Sequence, residues 1–193
     1  MKLVVNSDSH LIKQCIRGNK KSQYELYERY KSPMFKVCLG YAPDRLMAED
    51  MLQEGFIRVF NNLGSFKKKG SFDGWVRRVF VNNCLNYIRT NKIGSYVYIE
   101  KDNIMETFLD WDVNTALSQL EIEDFEIIIS KLPLGYRTVL NLFFVEGFTH
   151  QEIAKSLEIS PGTSKSQLAK AKKKLSENIN EYFDSESLLA YAK

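Results

Sequence analysis

The sequence predicts an all-helical protein in which two small helical modules are joined by a flexible acidic linker. Three observations lead to that expectation. Apolar residues recur at three- and four-residue steps nearly everywhere, and the only short alternating run is SYVYI at 95–99. Charge divides the chain: residues 1–93 carry 17 basic and 8 acidic side chains, 94–130 carry 1 and 9, and 131–193 carry 9 and 7. The net values of +9, −8 and +2 vanish into an overall +3, yet their order suggests two modules that approach a polyanion on either side of a connector that does not. Acidic residues that merely solubilise a linker are the simpler alternative. Composition changes at the same place, where SYVYIEKDNIMETFLDWDVNTA lacks a sustained helical stripe. These breaks put the modules at 1–93 and 115–193, with the linker at 94–114. With 193 residues, 44% of them hydrophobic, each module has material for a modest core.

Ser7, Asp8 or Ser9 can cap a first helix whose apolar face, Leu11, Ile12, Cys15 and Ile16, ends at Gly18. From Lys20 a longer helix presents Tyr24, Tyr27, Met34, Phe35 and Cys38, with Tyr30 or Lys31 on the same stripe. Pro33 removes a backbone hydrogen bond there and predicts a kink or an interruption. Ala42-Pro43-Asp44 marks a turn. In the third helix Ala48, Met51, Leu52, Phe56, Val59, Phe60 and Leu63 share one stripe. Its other face carries Glu49, Asp50, Gln53, Glu54, Ile57 and Arg58. An isoleucine among carboxylates and amides is either an ordinary exposed apolar residue or part of a protein-binding face.

The loop LGSFKKKGSFDG sets Lys67, Lys68 and Lys69 side by side, flanked by Phe66 and Phe72. It reads either as a solvated loop or as ammonium groups that grip phosphates beside unstacked bases. Val76, Val79, Phe80, Cys84, Tyr87 and Ile88 form the inward stripe of a fourth helix. Opposite them recur Arg78, Asn82, Leu85 and Arg89, with Arg77 beside. Arginine with asparagine suits contact with nucleic-acid backbone and base edges.

In the second half, Phe125, Ile128, Ile129 and Leu132 form a helix that stops before Pro133. Tyr136, Val139, Leu140, Phe143 and Phe144 form the next, with Gly147 as its C-terminal cap. Thr149-His150-Gln151-Glu152 is a capping box, which makes His150 a first-turn surface residue. Ile153, Ala154 and Leu157 give a short helix and Glu158-Ile159 a tight turn. Ser160-Pro161 then starts a second helix, with serine as N-cap and proline at its first position. Two helices joined this way are a helix-turn-helix. Ser164, Leu168, Ala171 and Leu175 face inward in the second helix. Ser166, Gln167, Lys170, Lys173 and Lys174 are left outside, with Thr163 and Lys165 near the tip. Hydroxyls, an amide and lysines suit a recognition helix in a major groove, while a lysine-rich solvated face is the simpler alternative.

Other chemistries find little support. Cys15, Cys38 and Cys84 form no CxxC or Cys/His cluster and read as small buried apolar residues. There are two histidines, no Gly-rich phosphate loop and no HExxH, so no nucleophile, base or metal constellation can be assembled. No enzyme activity, cofactor or metal is expected. No run of about 18 apolar residues occurs, and MKLVVNSDSH turns polar too soon for a signal-peptide core. Neither membrane insertion nor secretion is indicated, which points to the cytoplasm.

AEDMLQEGFIRVFNNLGSF followed by GSFDGWVRRVFVNNCLNYIRTNK resembles the second conserved region of bacterial RNA polymerase sigma factors of the extracytoplasmic-function (ECF) type. LPLGYRTVLNLFFVEGFTHQEIAKSLEISPGTSKSQLAKAKKKL resembles their fourth. Both occur in the family's order and together span most of the chain. The resemblance implies a region 2 bundle, a linker and a region 4 helix-turn-helix, working as a dissociable specificity subunit with core RNA polymerase and promoter DNA as partners. Asp50, Gln53, Glu54 and Gly55 match the family's DxxQEG, which docks on core polymerase and makes Ile57 an interface residue. Trp75, Arg78, Asn82 and Arg89 match the helix that engages the proximal promoter element. Lys67, Lys68, Lys69 and Phe72 match a loop that helps capture an unstacked base. Thr163, Lys165, Ser166, Gln167 and Lys170 match the helix that reads the distal element. Relatives are often held inactive by an anti-sigma factor, a further partner the resemblance raises. Gln167 stands where many relatives have arginine and Asn86 where aspartate is common, so the promoter sequence does not follow from relatives. A helix-turn-helix regulator that binds an operator without polymerase is the rival reading.

Overall fold

A computed structural model of the chain describes residues 8–67, 69–90 and 127–191. SYVYI, the linker at 94–114, Phe125 and Lys68 lie outside the described residues. Helices and turns, without a strand, make up the described residues. The chain divides into two compact units, Met1–Asn91 and Lys92–Lys193.

In the first unit, α1 spans Asp8–Ile16, α2 Lys20–Tyr41, α3 Arg45–Asn62 and α4 Phe72–Thr90, with a 3-10 turn at Leu63–Ser65. Leu11, Ile12 and Cys15 of α1 are buried, but Ile16 is exposed. The helix ends in a Schellman motif around Gly18, whose φ of 79° favours glycine; Asn19 N–H donates to Gln14 O and Gly18 N–H to Cys15 O. Asn19 then caps α2 by accepting from the Ser22 amide.

The buried stripe of α2 is Leu26, Tyr30, Met34, Val37, Cys38 and Tyr41. Tyr24 faces solvent and Tyr27 lies at the margin with its ring 4.7 Å from that of Phe56, contrary to the sequence pattern, because the buried register runs through Leu26, Tyr30 and Met34 instead. Nor does Pro33 interrupt α2. It is exposed, as is Arg29, whose carbonyl it leaves without a helical donor. Asp44 caps α3 by accepting from the Met47 amide at 2.8 Å.

Helices α2, α3 and α4 pack on one another. Helices α3 and α4 approach closely at Gly55, where an added Cβ would lie 2.2 Å from Cε1 of Phe80. Phe80 is wholly buried and meets Phe56 edge-on at 5.2 Å. Across the same seam the buried Asn83 amide donates to Met51 O at 3.0 Å. Leu85, expected on the arginine face of α4, is buried; Val81 and Asn83 are buried too, so the inward arc of this central helix exceeds its apolar stripe. Cys15, Cys38 and Cys84 are free thiols, all buried.

In the second unit, residues 127–130 are helical, followed by α5 (Leu134–Leu140), a π-turn (Asn141–Val145), α6 (His150–Leu157) and α7 (Pro161–Tyr191). Helix α7 packs against α5 and α6. Ile128, Leu132, Val139, Leu142, Ile153, Leu157, Leu168, Ala171, Leu175 and Ile179 form the core. The carbonyls ending the 127–130 helix are used: Arg137 Nη1 donates to Ser130 O at 3.1 Å, and Asn178 Nδ2 to Ile128 O at 3.4 Å. Burial lowers the pKa of the Arg137 guanidinium.

The π-turn corrects another expectation. Its wider winding brings Leu142 into the core, leaves Phe144 exposed and keeps Phe143 at the margin. Gly147, with a φ of 71°, ends the segment as predicted.

The capping box is formed: the Glu152 amide donates to Thr149 Oγ1 at 3.3 Å, and the Thr149 amide donates to Glu152 Oε2 at 2.8 Å. Thr149→Ala is expected to cost the second unit about 1 kcal/mol, measured as a shift in its chemical-denaturation midpoint.

Candidate polymerase and nucleic-acid interfaces

Helix α3 turns its polar residues outward because its apolar stripe is consumed by α2 and α4. Asp50, Gln53, Glu54 and Ile57 are all exposed on that outer face, as the sequence predicts. Glu54 accepts from Arg58 at 3.1 Å and Glu49 from Arg45 at 3.1 Å, so an arginine closes each end of a run of three carboxylates, Glu49, Asp50 and Glu54. Asp50, Glu54 and Arg58 form one wall of a groove of about 380 Å³, and Asn83, Asn86, Tyr87 and Thr90 of α4 form the other. Tyr87 is held there by its hydroxyl, which touches the Met47 sulfur. Carboxylates facing amides suit a cationic, donor-rich side chain from a partner. Sequence reading missed the α4 wall, since Tyr87 was assigned to the core stripe; an amide pair three residues apart is its only signal.

The loop before α4 rests on rings. Phe66 lies 5.2 Å from Phe72 and 5.7 Å from Trp75, and Phe72 stacks on Trp75 at 5.7 Å. Tyr30 meets Phe72 edge-on, and its hydroxyl donates to the Asp73 carboxylate in the first turn of α4. Burial and that carboxylate raise the Tyr30 pKa well above its usual value. Phe72 is therefore a buried ring beneath the loop and not, as its place beside the lysines suggests, a side chain open to an unstacked base. Phe66 and Trp75 are the half-exposed rings, with Lys67 and Lys69 exposed nearby in sequence. On α4, Arg78, Asn82 and Arg89 are exposed and Arg77 is half-buried; Arg89 Nη2 donates to Asn86 Oδ1 at 3.2 Å.

The helix-turn-helix closes through Glu158, whose φ of 59° is left-handed, and Ser160, which accepts from the Thr163 amide at 2.9 Å. Pro161 sits at the first helical position. Thr163 is half-buried with its hydroxyl 2.9 Å from that of Ser160, while Lys165, Ser166 and Lys173 are exposed. Gln167 and Lys170, expected on the outer face, are buried. The inward arc of α7 is wider than its apolar stripe on that flank, so the exposed arc runs through Lys165, Ser166, Ala169, Lys172 and Lys173. Lys172, passed over in the sequence, lies with its ammonium 5.3 Å from the Phe144 ring. Its signal was its place seven residues after Lys165.

His150 is half-buried rather than a plain surface residue. Its Nδ1 lies 2.9 Å from Ser164 Oγ, and its ring stacks on Phe143. Among the described residues, no group of three or more histidine, cysteine or carboxylate side chains could hold a metal. Nor is any described helix long and apolar enough to cross a membrane.

A helical bundle with an exposed polar face, on one chain with a helix-turn-helix, fits a DNA-binding protein of the transcription machinery. Residues 26–93 match Sigma-70 region 2 and residues 122–175 match Sigma-70, region 4. The chain belongs to the sigma-70 family of bacterial RNA polymerase sigma factors, in its ECF group. It is 24% identical to the ECF RNA polymerase sigma-E factor of Haemophilus influenzae, covering 90% of this chain and 95% of that one. It is 29% identical to the sigma factor SigM of Bacillus subtilis, over 78% and 91% of the two chains. With SigW of the same organism the identity is 27%, over 88% and 95%.

Proposed function

We propose that this chain is a dissociable promoter-specificity subunit of bacterial RNA polymerase that directs transcription initiation. The observation that carries the reading is the presence of both sigma regions, in order, on one chain that also folds a complete helix-turn-helix. Core RNA polymerase and promoter DNA are its partners, with an anti-sigma factor as a regulatory one. Its work is binding, without bond making or breaking, and takes place in the cytoplasm. An operator-binding regulator would leave the region 2 match without a role.

Residues 1–93 dock on core polymerase through Asp50, Gln53, Glu54 and Ile57. The same module engages the proximal promoter element through Arg77, Arg78, Asn82 and Arg89, and melted DNA through the lysine loop with Phe66 and Trp75. Residues 115–193 read the distal element through Lys165, Ser166, Lys172 and Lys173, with Thr163 at the tip, joined to the first module by the acidic stretch 94–114. Strand opening is favoured because aromatic and basic contacts hold the single-stranded form better than the duplex.

The test is transcription by host core polymerase, with and without this chain, on pooled genomic fragments. New start sites that share two upstream elements are the expected result. Binding to DNA with no binding to its own core polymerase would support the operator regulator instead. If Lys172 and Lys173 contact phosphates, Lys172→Ala and Lys173→Ala should each reduce the slope of log affinity against log salt by about 1 on distal-element duplex, whatever its sequence.

A further inference from the structure

We propose that His150 is a positioning residue for promoter recognition, fixing the tip of α7 to the π-turn and to the start of α6. The inference rests on the reading of the second unit as the distal-element reader, and it adds a specificity determinant outside the recognition helix.

Three elements meet at this one ring. His150 is the first residue of α6, where the Thr149–Glu152 capping box fixes the backbone from both directions. One face of the imidazole lies on Phe143 of the π-turn, with centroids 4.9 Å apart and planes 25° apart. Its Nδ1 lies 2.9 Å from the hydroxyl of Ser164, in the first turn of α7. Ser164 is wholly buried, and a buried hydroxyl needs a partner.

The chemistry of the ring suits the task. Burial, with Lys165 and Lys172 nearby, lowers the His150 pKa, which favours the neutral ring. Neutral imidazole and a hydroxyl can each donate or accept, so Nδ1 and the Ser164 hydroxyl satisfy one another in either tautomer. Lys165 and Ser166 directly follow Ser164 and are exposed. A small displacement of Ser164 therefore carries both side chains away from any base edge or phosphate they meet, and hydrogen bonds weaken steeply with misalignment.

The experiment uses holoenzyme assembled from host core polymerase and the full chain. Its probe is a promoter fragment recovered by genomic transcription, bound intact or with its distal element scrambled. His150→Phe keeps a ring on Phe143 and removes the Nδ1 partner, Ser164→Ala removes the hydroxyl, and His150→Asn keeps a hydrogen-bonding amide near the Nδ1 position. His150→Phe and Ser164→Ala should each reduce the intact-to-scrambled affinity ratio about tenfold, the scale of one hydrogen bond. The double variant should lose no more than either single one, and His150→Asn should recover most of the ratio. An unchanged ratio in the folded variants, equal losses on both fragments, or additive losses in the double variant would overturn the inference. Wild-type holoenzyme with no preference for the intact element would instead overturn the reading of the second unit, and the inference with it.

Discussion

Glu54→Arg is expected to reduce the affinity of this chain for core RNA polymerase by about 100-fold or more, the effect of placing a like charge in a complementary interface. Glu54 is exposed, one turn beyond Asp50, and lines the groove shared with Asn83 and Asn86. An arginine there removes a carboxylate from the face proposed to dock and sets a cation beside Arg58, its present partner. Within the helix the cost is small, a few tenths of a kcal/mol for one like-charge pair at four-residue spacing. Thermal denaturation should therefore show a folded protein, while sedimentation or co-purification with core polymerase shows loss of complex. A folded Glu54→Arg protein that still bound core polymerase would remove this face from the interface.

Gly55→Val should destabilise the first unit by about 2 kcal/mol, after allowing for the few tenths of a kcal/mol of helix propensity that valine regains over glycine. The first added carbon would lie 2.2 Å from the Phe80 ring, which is fully buried and pinned edge-on by Phe56. That ring cannot yield without moving the α3–α4 seam, including the Asn83 bond to Met51. A melting temperature lower by roughly 10 °C is the expected readout for a unit of this size. Gly55→Ala should fall between valine and wild type, because the same carbon clashes without the second branch. Stabilisation by alanine would show that the seam relaxes freely.

Both modules were legible in the sequence wherever a pattern had a single solution. The stripe of α3, the capping box at Thr149, the Ser160-Pro161 start and the Gly147 cap each rest on residue types with one favoured placement. Errors came where chemistry permits two. Tyr24 and Tyr27 are as compatible with a wet surface as with a core, so a stripe through them misses Leu26 and Val37, although Tyr30, Met34 and Cys38 on the same stripe are buried. The bond Pro33 removes predicts a kink or an interruption, yet at its exposed position α2 runs on through it. Gln167 and Lys170 look external by polarity, yet long aliphatic stems let such residues lie along a buried flank. The site shows the same division. The acidic face of α3 follows from its own sequence, whereas its opposite wall on α4 comes from a different stretch of chain, and no local pattern connects the two.

The π-turn at Asn141–Val145 also constrains how this segment can vary. A π-turn holds about one residue more than an α-turn, so losing one residue here would close the segment to α winding. The seats of Leu142 in the core and of Phe143 on the imidazole depend on the wider winding and would shift with it. Chain length across the turn thus decides which winding forms. Exposed side chains such as Phe144 and Val145 can be exchanged in kind, but sequences that keep this arrangement should keep the same number of residues between Leu140 and Gly147.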